Sequence, residues 1–183
     1  INTMEELLHV KSIILETVKE SGFSVLNADD PWVMKVKNKA KGNIVLFSMD
    51  YETPTIVDHI KSGCCAVYLR GNSIYFSCKG LAREVIRIDE IPATLNGALK
   101  HNIYNSMAAI AACSALGIPF DIISRTLSKF NCDAETNPGR FNIYDMGNFK
   151  VVLDYGHNID GYRVTIEGLK ALKPERLVGV IGV

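Results

Sequence analysis

Residues 138–161 read PGRFNIYDMGNFKVVLDYGHNIDG. An apolar run at 149–153 ends in Asp154 and Tyr155, passes a glycine and the pair His157-Asn158, and breaks at Asp160-Gly161 into helical spacing. That order predicts a strand, a loop and a helix. In an open α/β sheet, ligands gather beyond the carboxyl ends of the strands, so Asp154, His157 and Asn158 stand where a substrate is handled. Arg140 follows the Pro-Gly turn just upstream, and its planar fork suits phosphate oxygens.

Outward from this stretch, 141–146 and 149–155 are expected to pair across Gly147-Asn148, and a helix over 161–172 to precede a buried strand at 177–183. One helix over so few strands is an unfinished unit, so further chain is expected to complete it. The polar, turn-rich stretch 131–139 lacks periodicity and divides residues 1–137 from 138–183 as two domains.

Before that boundary, short apolar runs at 24–27, 43–49 and 64–69 alternate with helical segments, the pattern of βαβ units in a parallel sheet. Asp30-Pro31 supplies an N-cap and an N1 proline for one helix, and 53–61 forms another, closed by Gly63. Runs at 73–78 and 83–88 read as a β-hairpin appended to the sheet. An alanine-rich helix is expected from about Asn102 to Leu116, stopped by Gly117 and Pro119. Asp121 is expected to cap a helix over 122–130, with Ile123, Leu127 and Phe130 inward.

At the start, Thr3 and Glu6 form a capping-box pattern for a helix reaching about Lys19. Met4, Leu7, Leu8, Ile14, Leu15 and Val18 share one face, and Lys11 projects from the middle of it. Lysine is rarely buried without a task or a partner.

Twenty basic and twenty acidic residues cancel, and no segment concentrates either, so nucleic-acid and anionic-membrane surfaces have no electrostatic support. No apolar run approaches the roughly 20 residues of a membrane span, and the N-terminal stretch lacks a signal-peptide core, so the expected location is the cytoplasm. Cys64, Cys65, Cys78, Cys113 and Cys132 lack paired metal spacing and are expected to be buried, reduced thiols. No serine nucleophile elbow, glycosidase carboxylate pair or zinc cluster is found, and His9, His59 and His101 have no partner acid at motif spacing.

The segments HNIYNSMAAIAA at 101–112 and PGRFNIY followed by VVLDYGHN resemble the Mur ligase superfamily of ATP-dependent amide-forming ligases. LNADDP at 26–31 and MEELLHVK at 4–11 add to the resemblance, as do IPATLNGALKHN at 91–102 and DYGHNIDGY at 154–162. The last two look most like the branch that builds a polymer with an aspartate backbone and arginine side groups. Ligases of peptidoglycan precursors or folate polyglutamate are the alternatives within the family. A nucleotide-binding homologue without catalysis, and a Rossmann oxidoreductase suggested by GVIGV, are the alternatives outside it.

The resemblance implies a truncated parallel-sheet, P-loop-type ATPase domain, followed by the start of a Rossmann-like α/β domain. It implies ATP and Mg²⁺ as cofactors, amino-acid or peptide substrates, and an acyl-phosphate route to the amide. It places Asn105 on the adenine with Asn102 beside it, Arg140 against the nucleotide, Asp154 on the ribose hydroxyls and Tyr155 near the base. His157, as a catalytic residue, and Asn158 approach the phosphates. Lys11 matches the position that many members carbamylate as a Mg²⁺ ligand. The whole protein is expected to be a homo-oligomer. The family's glycine-rich turn ending in Gly-Lys-Thr or Gly-Lys-Ser occurs nowhere in the 183 residues and is expected upstream, so the chain alone is expected to be inactive.

Overall fold

A computed structural model describes residues 3–182. Local chemistry sets most of the early elements. Thr3 accepts the backbone N–H of Glu6 and starts α1, Met4–Thr17. Asp30 accepts from the amides of Trp32 and Val33, and Pro31 opens the short α2, Pro31–Lys35. Strands β1 (Phe23–Asn27), β2 (Asn43–Ser48) and β3 (Cys65–Arg70) run parallel in the order β1-β2-β3, with α3 (Pro54–Lys61) crossing between the last two. The chain then meanders: β4 (Ser73–Cys78) and β5 (Leu81–Arg87) extend the same sheet in antiparallel fashion. The turn between β4 and β5 holds Lys79 and Gly80 at positive φ (52° and 76°), the two-residue turn whose twist matches paired strands.

Strand alternation sends side chains to two cores. Val45, Phe47 and Val67 face α4, Lys100–Ala115, which buries Ile103, Met107, Ile110 and Ala111 along one helical stripe. Leu46, Ala66 and Tyr68 face the opposite way, onto Leu15 of α1 and Ile56 of α3. Helix α5 (Phe120–Leu127) packs beside α4 through Ile123. After an irregular linker, β6 (Asn142–Asp145) and β7 (Lys150–Leu153) form a separate antiparallel pair, and α6 (Ile159–Ala171) follows. Gly168 of α6 lets Leu99 and the Phe141 ring come so close that a Cβ there would meet them at 2.4 and 2.9 Å. Helix α6 is thereby packed against Leu99, just before α4, and against Phe141, just before β6.

Several expectations change. Helix α4 begins at Lys100, and no side chain caps it, so Asn102 lies inside the first turn with its amide free for other work. Pro119 stands at the cap of α5, where Asp121 instead pairs with Arg125 one turn on; Phe130 lies beyond the helix and is exposed. Residues 177–182 pair with no strand, and Leu177, Val178, Val180 and Ile181 are exposed; Val183 lies outside the described residues. An apolar run is buried only where a second layer meets it, and none does here. Lys11 is exposed, because the packing face of α1 centres on Ser12 and Leu15. Cys64 is exposed too, and Cys65 and Cys78, at facing positions of β3 and β4, are joined by a disulfide. Antiparallel register brings facing side chains together, which residue spacing alone does not reveal.

Candidate functional site

The loop after β7, the first turns of α4 and α6, and the linker before β6 enclose a cavity of about 460 Å³. Asn102, Asn105, Arg140, Asp154, Tyr155, His157 and Asn158 all line it. Seven of the eight residues singled out in the sequence therefore converge. The eighth, Lys11, borders a different and mostly apolar cavity between α1, β1 and α4.

Asn102 and Asn105 divide their work. The Asn102 amide donates to the Ala93 carbonyl at 2.7 Å and to the Cys132 sulfur at 3.4 Å, while its Oδ1 accepts from the Asn105 amide at 3.3 Å. Asn102 is thus committed to the protein. Asn105 is exposed, and it keeps its Oδ1 and one N–H for an outside partner.

Asp154 is half-buried, and its Oδ2 accepts the backbone N–H of Phe141 at 3.0 Å. Its other oxygen makes no hydrogen bond among the described residues. Arg140 has no carboxylate partner among them, and its guanidinium lies 5.6 Å from the centre of the Tyr155 ring. That ring in turn sits 5.7 Å from His157. The His157 Nδ1–H donates to the Tyr155 carbonyl at 3.2 Å, which leaves Nε2 as an acceptor toward Asn158 at 3.5 Å. The Asn158 Oδ1 accepts the Gly161 N–H at 2.7 Å and so caps α6.

His101, which has no partner acid at motif spacing, lines the same cavity. Its Nδ1 is buried without a hydrogen-bond partner. Burial pushes its pKa down, partly opposed by the nearby Asp154 carboxylate. Asn137, from the linker, also contributes. No spacing signal marked it, since the linker has no regular structure.

The LNADDP segment serves as a fastening. Asp29 accepts from the Met49 amide at 2.7 Å and the Tyr104 hydroxyl at 2.9 Å, tying the ends of β1 and β2 to α4. Burial first, and then Asp29, push Tyr104 up to about 12.

Among the described residues the cavity thus offers an unpartnered carboxylate oxygen, a guanidinium without a carboxylate and an exposed aromatic face. A metal fares differently: among the described residues no group of three or more His, Cys, Asp or Glu could hold an ion. No helix among them is long and apolar enough to cross a membrane.

Known proteins match this chain along its length. It is 38% identical over 183 residues to the cyanophycin synthetase of Geminocystis herdmanii and 37% identical over 186 residues to that of Synechocystis sp.; each match covers all of this chain and 21% of the relative. It is 34% identical over 128 residues to a UDP-N-acetylmuramoylalanine–D-glutamate ligase of Thermoanaerobacter sp., covering 70% of this chain and 25% of that protein. The chain thus spans about a fifth of the length of its cyanophycin synthetase relatives. Residues 1–113 match the Mur ligase middle domain, and the chain belongs to the Mur ligase family.

Proposed function

We propose that this chain is the nucleotide-binding part of an ATP-dependent ligase that joins a carboxylate to an amine, and that the cavity holds the adenosine end of ATP. The observation that carries this reading is the convergence of Asn105, Arg140 and Asp154 on one cavity from three separate elements. Asn105 offers a donor and an acceptor side by side, the pattern an adenine edge requires. Asp154 can only accept, which suits two ribose hydroxyls. Arg140 and the first-turn amides of α6 supply positive potential for phosphate oxygens.

ATP supplies the phosphoryl group that activates the carboxylate, as an acyl phosphate, for attack by the amine. The part these residues play is positioning: they hold the nucleotide so that its distal end is presented elsewhere in the whole protein. Residues 1–137 are read as part of the ATP-binding middle domain and 138–183 as the start of the next. That division is supported by the β6-β7 pair, which forms a sheet separate from the five-stranded one. His157 is assigned to the phosphate side of the cavity, on the loop that leads into the first turn of α6. Carbamylation of Lys11 as a Mg²⁺ ligand is proposed from the family resemblance alone.

Within the family, polymerisation of aspartate with arginine is the favoured reaction, since the cyanophycin synthetases are matched over the whole chain and the muramoylalanine ligase over 70% of it. The test is ATP-dependent phosphate release by the full-length protein, given aspartate, arginine and a cyanophycin primer. Release that needs both amino acids, and falls sharply in Asn105→Ala and Asp154→Asn, is expected. Release with neither amino acid required would reject the polymer, and loss of all nucleotide binding would reject the ligase.

A further inference from the structure

Asn142, at the start of β6, is 1% exposed and touches no part of the cavity surface. It nevertheless uses every hydrogen-bonding group of its side chain on the linker before it. Oδ1 accepts the Gly139 N–H at 2.6 Å. Nδ2 donates to the carbonyls of Asn137 at 2.9 Å and Cys132 at 3.2 Å, with the Arg140 carbonyl sharing at 3.4 Å. A buried amide is costly unless its groups are paired, and this one is fully paired.

Those partners span residues 132–140, a stretch with no helix or strand of its own. The linker folds back over Asn142 through two left-handed positions, Gly139 at φ 72° and Phe141 at φ 53°. Its walls are functional: Asn137 and Arg140 face the cavity. The same turn fixes the strand end opposite, because Phe141 N–H donates to Asp154 and Tyr155 N–H donates to the Gly139 carbonyl at 2.7 Å. At the other end of the loop, the Cys132 sulfur accepts from Asn102, the residue that orients Asn105. One buried amide thus joins the three groups assigned to the nucleotide.

We propose that Asn142 is a positioning residue for nucleotide recognition, holding the linker so that Arg140 and Asp154 meet the ligand together. This rests on the nucleotide reading of the cavity. Aspartate in its place keeps the acceptor for Gly139 but sets a carboxylate oxygen against three carbonyl oxygens, so the loop must open and carry Arg140 away.

The experiment is a double-mutant cycle in the full-length protein, titrating ATP against the unsubstituted protein, Asn142→Asp, Arg140→Ala and the double variant, with thermal melts of each. Asn142→Asp is expected to weaken ATP binding about tenfold and to lose most of that effect in the Arg140→Ala background, because both act through one contact set. In turnover it raises the KM for ATP and leaves kcat at saturating ATP within about threefold. An unchanged ATP affinity in a cooperatively melting Asn142→Asp protein overturns the proposal, as does the same fold-loss in both backgrounds. If that variant fails to melt cooperatively, Asn142→Ser, which retains an acceptor, carries the same cycle to the same criteria. Failure of the unsubstituted full-length protein to bind ATP instead removes the nucleotide reading itself.

Discussion

The Asn105 side chain donates to Asn102 Oδ1 at 3.3 Å, one turn apart on α4, and Asn102 is held in turn by the Ala93 carbonyl. The two asparagines therefore differ in what their loss does. Asn102→Ala leaves the Ala93 carbonyl with only the weaker Cys132 thiol donor at 3.5 Å and is expected to cost about 1–3 kcal/mol of stability as well as nucleotide affinity. Asn105→Ala, at an exposed position, is expected to cost affinity with little change in melting temperature. Paired thermal melts and ATP titrations of the full-length protein separate the two.

Stability is expected to fall in mild acid. His59 is buried with Nε2–H shared between the carbonyls of Ile44 and Cys65, both at 3.2 Å, and burial and then Lys37 push its pKa down. Burial lowers His101 as well. Both folded pKa values lie below the ordinary 6.5, so the unfolded chain takes up protons first as pH falls. The contribution is complete above 6.5 and is lost as pH drops through the folded values. Melting temperature measured against pH should show this decline, and His59→Gln should flatten part of it; an unaltered slope in that variant would assign the decline to other groups.

Gly168→Ala places a methyl where the Leu99 and Phe141 side chains already lie, at 2.4 and 2.9 Å. Overpacking of this kind costs about 1–3 kcal/mol. The expected result is looser seating of α6 on the first unit, read as faster amide exchange in α6 with exchange in β1–β3 unchanged. Equal acceleration in both would mean the two units unfold together.

Tyr104→Phe keeps the edge-on contact with Phe47, whose ring centre is 6.4 Å away, and removes only the hydroxyl to Asp29. A loss of about 0.5–1.5 kcal/mol is expected from one hydrogen bond. Spectrophotometric titration should lose the tyrosine that ionises near 12. Retention of that high transition would assign it to another tyrosine.

What could be read in advance was the local chemistry. Asp30 and Pro31 start a helix by rules that need no tertiary partner, and the strand at Asn43–Ser48 declares itself by its apolar run. Asp154 and Arg140 could be placed from the strand end and the Pro-Gly turn, Asn102 and Asn105 from the family resemblance, and the structure gathers all four on one cavity. Asn142 was not, since an asparagine after an arginine carries no mark of being buried, and its partners come from a linker without periodicity. Lys11 misled for a related reason. Periodicity finds the apolar face of α1, but Ser12, which donates to the His9 carbonyl and accepts from Lys39, can take the packing position beside it. Cys65 and Cys78 were separated by the same blindness to register.

Strand β3 has a parallel neighbour on one side and an antiparallel one on the other. The hairpins on its antiparallel side close loops of a few residues, whereas pairing β1 with β2 first requires the chain between Asn27 and Asn43 to be gathered in. Loop closure is entropically cheaper for the shorter loop, and sequence-local contacts form faster. The meander from Cys65 to Arg87 is therefore the part of the sheet able to assemble first and to serve as a template, with β1, whose end carries the Asp29 fastening to α4, joining late. The helix that presents Asn105 already packs on β2 and β3 through Val45, Phe47 and Val67, and the Asp29 bond from the end of β1 is the contact added last.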